Sequence, residues 1–168
     1  MAHPLVDQLR FTRTEFMRGV AGLSDADARV RLGPTNCISW NVGHLAWQEQ
    51  RYFIVYAGGE VLIPAIQEGF AFQAPASTPP LADMIEAWHT ITRTADPFLD
   101  TLTSPVLLEH AVSGGRVITP LRGNLLQRTI YHYWYHNGEN QAIRQQLGHT
   151  DLPQFVGDID GKAPYREL

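Results

Sequence analysis

The 168-residue chain contains one cysteine, Cys37, and one lysine, Lys162, with arginine supplying every other basic side chain. A lone cysteine excludes an intramolecular disulfide framework. No basic run or stripe accompanies the formal net charge of −4, so an electrostatic grip on nucleic acid is not expected. No apolar stretch approaches the roughly 18 residues that a membrane span requires. The first ten residues lack a basic segment followed by an apolar core, so a secretory signal is not expected and a cytoplasmic setting is. Internal repeats, low-complexity segments, a phosphate-cradling glycine loop, a nucleophile elbow and a dinucleotide fingerprint are all missing.

What is present reads as a globular chain. Hydrophobic residues make up 44% and charged residues 18%, enough to bury the core of one domain spanning 1–168. Pro4 suits the first turn of a helix, and Leu5, Leu9, Phe16 and Val20 recur near helical spacing, which predicts a first helix over 4–21. Ser24-Asp25 begins a polar stretch with room for one helical turn. Ser39 is the predicted cap of a second helix running from Trp40 to Ala57 and closed by Gly58-Gly59. Residues 60–79 form a long connection too rich in large apolar side chains to be a solvated linker. A third helix is predicted from Pro80 to about Leu102, with a kink at Asp96-Pro97. Leu107–Ile118 reads as a small β-hairpin around Ser113-Gly114-Gly115. Pro120 is then expected to open a fourth helix ending at Gly148, followed by an irregular tail from about 149. Four long helices and one long crossover predict an all-α four-helix bundle, an architecture that places metal sites on facing helices.

Seven histidines are the natural ligand candidates. His132 and His136 are four apart on the fourth helix, so their rings share one face, a turn apart. That spacing lets two imidazoles hold one ion, although among seven histidines it also arises by chance. His44 sits between Val42-Gly43 and Leu45-Ala46-Trp47, on what reads as the buried face of the second helix. Two readings stand for it: a core histidine bonded to a polar neighbour, or a third ligand brought against the pair by helix packing. Gly43 permits a close approach of backbones beside it. His3, His110 and His149 look peripheral, and His89, next to Trp88, suits an exposed or supporting position.

The segments Asn41-Val42-Gly43-His44-Leu45-Ala46-Trp47 and Tyr131-His132-Tyr133-Trp134-Tyr135-His136-Asn137-Gly138-Glu139-Asn140, the latter running on to Leu147-Gly148-His149, resemble the DinB-like superfamily. That group includes mycothiol-dependent maleylpyruvate isomerases and bacillithiol transferase-like proteins. The resemblance implies an up-down-down-up bundle with one divalent metal ion, zinc or nickel, held by His44, His132 and His136. It also implies a homodimer.

Three neutral imidazoles leave a divalent ion its full charge and open positions. Such an ion lowers the pKa of bound water, polarises a carbonyl or activates a low-molecular-weight thiol. Glu139 lies on the same helix face and could orient a ligand ring or serve as a general base, with an ion pair to Arg144 as the alternative. Arg51 and Arg128 could meet an anionic group near the metal. The Tyr131–Tyr135 aromatic cluster reads chiefly as packing, with one tyrosine left to line a pocket, and Cys37 reads as an incidental buried thiol. Two functions follow: a metal-dependent thiol S-transferase or hydrolase acting on a small molecule, or a non-catalytic metal-binding, stress-associated dimeric module.

Overall fold

A computed structural model describes residues 2–154 and 156–166. Helix α1 spans Pro4–Val20, with Pro4 in its first turn and the His3 ring accepting from Leu5 N at 3.2 Å. His3 is thus a helix cap. The polar stretch after Gly22 forms the single turn α2, Asp25–Ala28, capped by Ser24. Asp25 has a second duty: its Oδ1 accepts the Leu81 N–H at 2.8 Å, one of the unpaired donors at the start of the helix that begins there.

Helix α3, Ile38–Glu49, starts one residue before the predicted cap, with Cys37 rather than Ser39 in the capping position. All of its residues are buried. It does not stay α-helical to Ala57: Gln50–Ile54 widen into a π-helical segment and Val55–Ala57 tighten into a 3-10 turn, which Gly58 ends at φ 100°. The fully buried Gln50 then clamps the crossover, accepting from Ile63 N at 2.7 Å and donating to Ile63 O at 3.3 Å. The crossover carries a short helix α4, Pro64–Gly69.

Helix α5 covers Leu81–Leu99 and carries Pro97 in its last turn, and α6, Ser104–Leu107, follows. Strands β1, His110–Ser113, and β2, Arg116–Leu121, form the expected hairpin, turned by Gly114 and Gly115 at φ 55° and 74°. Pro120 does not open the last helix. It lies within β2, because pairing of His110 with Leu121 carries the ladder past it, and a two-stranded sheet has outer edges where a residue without an N–H is tolerated. Helix α7, Arg122–Gln146, starts two residues later than expected. It ends in a Schellman motif, with Gly148 N bonded to Gln145 O and His149 N to Arg144 O, both at 3.0 Å. One turn, α8 at Ile159–Lys162, interrupts the tail.

Cross-helix contacts give the topology. Phe11 meets Trp134 and Gly19 meets Asn137, so α1 and α7 run parallel. Asn41 reaches Asn140 while His44 reaches His132, so α3 runs antiparallel to α7. Gly43 lies against Met84, and α3 packs along α5 as its parallel neighbour across the crossover. The four long helices therefore form the up-down-down-up bundle.

At its centre one polar network joins all four. Tyr133 of α7 donates to Glu49 Oε1 of α3 at 2.7 Å and accepts from Trp88 Nε1 of α5 at 2.6 Å. Arg13 of α1 pairs with Glu49 through Nε at 2.7 Å and through Nη2, and with Asp96 of α5 at 2.8 Å. Glu49 and Tyr133 are fully buried, and only such complete pairing makes a charge there tolerable.

Candidate metal centre

The antiparallel crossing of α3 and α7 sets His44 against the turn that carries His132 and His136. One ligand nitrogen from each ring lies within 4.8 Å of the other two. Local sequence builds the α3 half. Trp40 and Trp47, one turn before and one turn after His44, both stack on its ring, with centroids 4.8 and 5.3 Å away. Gly43 admits Phe70: a Cβ at this position would lie 2.6 Å from the Phe70 ring and 2.8 Å from Met84 Sδ. The close approach that Gly43 permits is thus to side chains of the crossover and α5. It brings the Phe70 carbonyl to 2.7 Å from His44 Nδ1. A carbonyl only accepts, so Nδ1 carries the hydrogen and Nε2 is left with its lone pair.

On α7, Glu139 Oε2 lies 2.7 Å from His136 Nδ1 and fixes the same tautomer there. Asn41 Nδ2 steadies that carboxylate at 3.1 Å while also donating to Asn140 Oδ1 at 2.8 Å. His136 Nε2 then faces His132 Nε2 at 2.9 Å, and His132 Nδ1 is buried with no hydrogen-bond partner. Two facing imidazole nitrogens share at most one proton, whereas a cation satisfies several lone pairs together. Burial, assisted by the neighbouring rings, pushes His132 down to about 3. Burial likewise pushes His44 down to about 4, the Phe70 bond opposing it only in part. Both rings are neutral at physiological pH, the form that coordinates metal. Donor type, tautomer and protonation state all fit a divalent ion.

His44 and His132 also form part of the wall of a cleft of about 940 Å³ between α3 and α7. Arg51 and Arg128 line this cleft, as do Tyr131 and Tyr135, two of the cluster read mainly as packing. The other two do pack: Tyr133 in the core and Trp134 on Phe11. Glu139 is not among the lining residues; it lies behind His136. The alternative ion pair with Arg144 does not form, because that guanidinium bonds Gly19 O at 2.6 Å at the end of α1. His89 is exposed against Trp88, and His110 bonds Ile118 O within the hairpin. His149 accepts from Arg144 and lies 3.5 Å from Asp27. Cys37 is buried beside Ser39 and the Ser77 carbonyl, outside the cleft.

A model of the mycothiol-S-transferase family matches residues 4–148, a stretch that includes all four long helices and all three histidines. The chain belongs to the mycothiol-S-transferase family. That family is part of the DinB-like superfamily, in agreement with the sequence motifs. No curated protein matches the chain. Among the described residues, no helix is long and apolar enough to cross a membrane.

Several contributors to this transferase-family site carry no signal of their own in the sequence. The Phe70 carbonyl is a main-chain group that any residue would supply. The stacking of Trp40 and Trp47 on His44 needs the helix in place, and the sequence around His44 reads only as a buried face. Gln48, one turn beyond His44 and also part of the cleft wall, has no distinguishing pattern at all.

Proposed function

We propose that this protein is a metal-dependent S-transferase, with His44, His132 and His136 holding one zinc or nickel ion and mycothiol as its thiol. The observation that carries this reading is the position of the histidine cluster: His44 and His132 face a cleft large enough for a low-molecular-weight thiol and a second small molecule. A fully enclosed cluster would have favoured the non-catalytic module. When bound, a divalent ion with three neutral ligands supplies the charge that deprotonates a thiol at neutral pH. The chain's own residues prepare for this. Phe70 O and Glu139 hold two ligand rings in the tautomer with Nε2 free, and the two tryptophans prevent the His44 ring from turning. We assign Glu139 the role of orienting His136, since it stands behind that ring.

Elemental analysis and a thiol-transfer assay on the same preparation test the reading. One divalent ion per chain is expected, with transfer of mycothiol to an electrophile lost on chelation and restored by zinc or nickel. His132→Ala should lose metal and transfer together. Full metal content in that variant, or undiminished transfer in excess chelator, would overturn the assignment.

A further inference from the structure

Among the described residues, the cleft beside the histidines is lined by two arginines and by no aspartate or glutamate. Neither Arg51 nor Arg128 forms an ion pair among the described residues. Arg51 is held in place all the same. Its Nε donates to Tyr56 Oη at 2.7 Å, and its guanidinium carbon lies 5.4 Å from the ring centroids of both Trp47 and Tyr56. Its terminal guanidinium nitrogens have no hydrogen-bond partner among the described residues, the arrangement from which a carboxylate is bound in a fork.

The helix directions place both arginines at one end. Arg51 follows His44 by seven residues, in the π-helical segment that continues α3, and Arg128 precedes His132 by one turn of α7. Because the helices are antiparallel, both steps lead the same way along the cleft. The helix rise makes them about 10 Å and 6 Å respectively, a separation an aromatic ring with a carboxylate can span. Between Arg128 and His132 the wall suits a flat body, with Tyr131 68% exposed there, and Tyr135, 70% exposed, lines the cleft three residues beyond His132. A further feature points to a polar ligand. Trp47 Nε1 and Gln48 Oε1 belong to cleft residues only 6% and 5% exposed, and neither atom has a hydrogen-bond partner.

We infer that the electrophile is a planar organic carboxylate, its carboxylate held by Arg51 and Arg128 and its electrophilic carbon directed to the histidine end. This rests on the S-transfer reading for the reaction but not for the binding. In the transfer, the thiol proton goes to solvent and the sulfur forms a bond to the electrophilic carbon. The bond from that carbon to its leaving group breaks, and the leaving group departs with the electron pair.

A matched pair of probes tests the inference: 4-chloro-3,5-dinitrobenzoate and its neutral amide, each with mycothiol and the metal-loaded protein. The expected result is a kcat/KM at least tenfold higher for the carboxylate, with the difference lost in an Arg51→Gln, Arg128→Gln double variant. Arg51→Lys, which keeps the charge and loses the fork, should retain part of the preference and guards against a folding defect, with circular dichroism as the control. Equal kcat/KM for the two probes, or a preference that survives the double variant, overturns the inference and leaves S-transfer standing. If neither probe is turned over, calorimetry with unreactive 3,5-dinitrobenzoate and 3,5-dinitrobenzamide decides it. Binding at least tenfold tighter for the carboxylate, and dependent on the arginines, supports the inference even as the transfer reading fails. Equal binding of the two overturns it.

Discussion

Tyr133 donates its hydroxyl hydrogen to Glu49 Oε1 at 2.7 Å in the centre of the bundle, while the adjacent residue on α7, His132, faces the cleft. The two neighbours divide the work of the helix: one closes the core network and the other belongs to the histidine cluster. Tyr133→Phe removes a donor from a buried carboxylate and leaves Trp88 Nε1 without its acceptor. A loss of about 1–3 kcal/mol is expected in urea denaturation, with metal content unchanged. A loss of metal in a stably folded variant would show that the core and the site are not separable in this way.

Glu139→Ala leaves His136 Nδ1 without its anionic partner. Metal affinity should fall about 10- to 100-fold, as measured by competition with a chromogenic chelator. A variant that binds metal with native affinity yet transfers no thiol would instead make Glu139 a base.

Gly43→Ala places a methyl group against Phe70 and Met84. Overpacking of this kind costs about 1–3 kcal/mol. Because the same residue, Phe70, holds His44 through its carbonyl, metal affinity should weaken along with stability. Unchanged melting temperature and affinity would mean that the crossover gives way at no cost.

The chelated protein should lose stability as pH falls from about 6.5 toward 5. His44 and His132 sit at about 4 and about 3 in the folded chain, against 6.5 ordinarily. Between those values the unfolded chain binds more protons, so stability is fully present above 6.5 and declines toward the folded values. Thermal scans of the chelated protein at pH 7.5, 6.5 and 5.5 should show this fall, and it should be shallower in His44→Gln. A native-like slope in that variant would remove His44 from the effect.

The helices were legible because their signals are local: Pro4 and Gly148 bracket the first and last, and apolar spacing fills the interval between. Pro120 misled because the same residue suits a helix start and an outer strand, and only the pairing of His110 with Leu121 decides between them. The π-helical segment after Glu49 has no composition that marks it. In the site, the motif around His44 and the His132–His136 pair pointed to three rings that the fold brings together. The central network was missed for a different reason. No local pattern marks Arg13 or Glu49, and their burial follows from partners on other helices.

The alternation of Tyr133 and His132 on α7 also limits where the chain can change in length. One residue inserted between Gly123 and His132 would rotate everything beyond it by about 100°, moving a ring out of the histidine cluster and a hydroxyl away from Glu49 together. At Gly114-Gly115, where the hairpin tip is exposed, added residues would project into solvent and disturb neither. The hairpin is where this chain has room to grow, and the helix behind it is where it must be counted residue by residue.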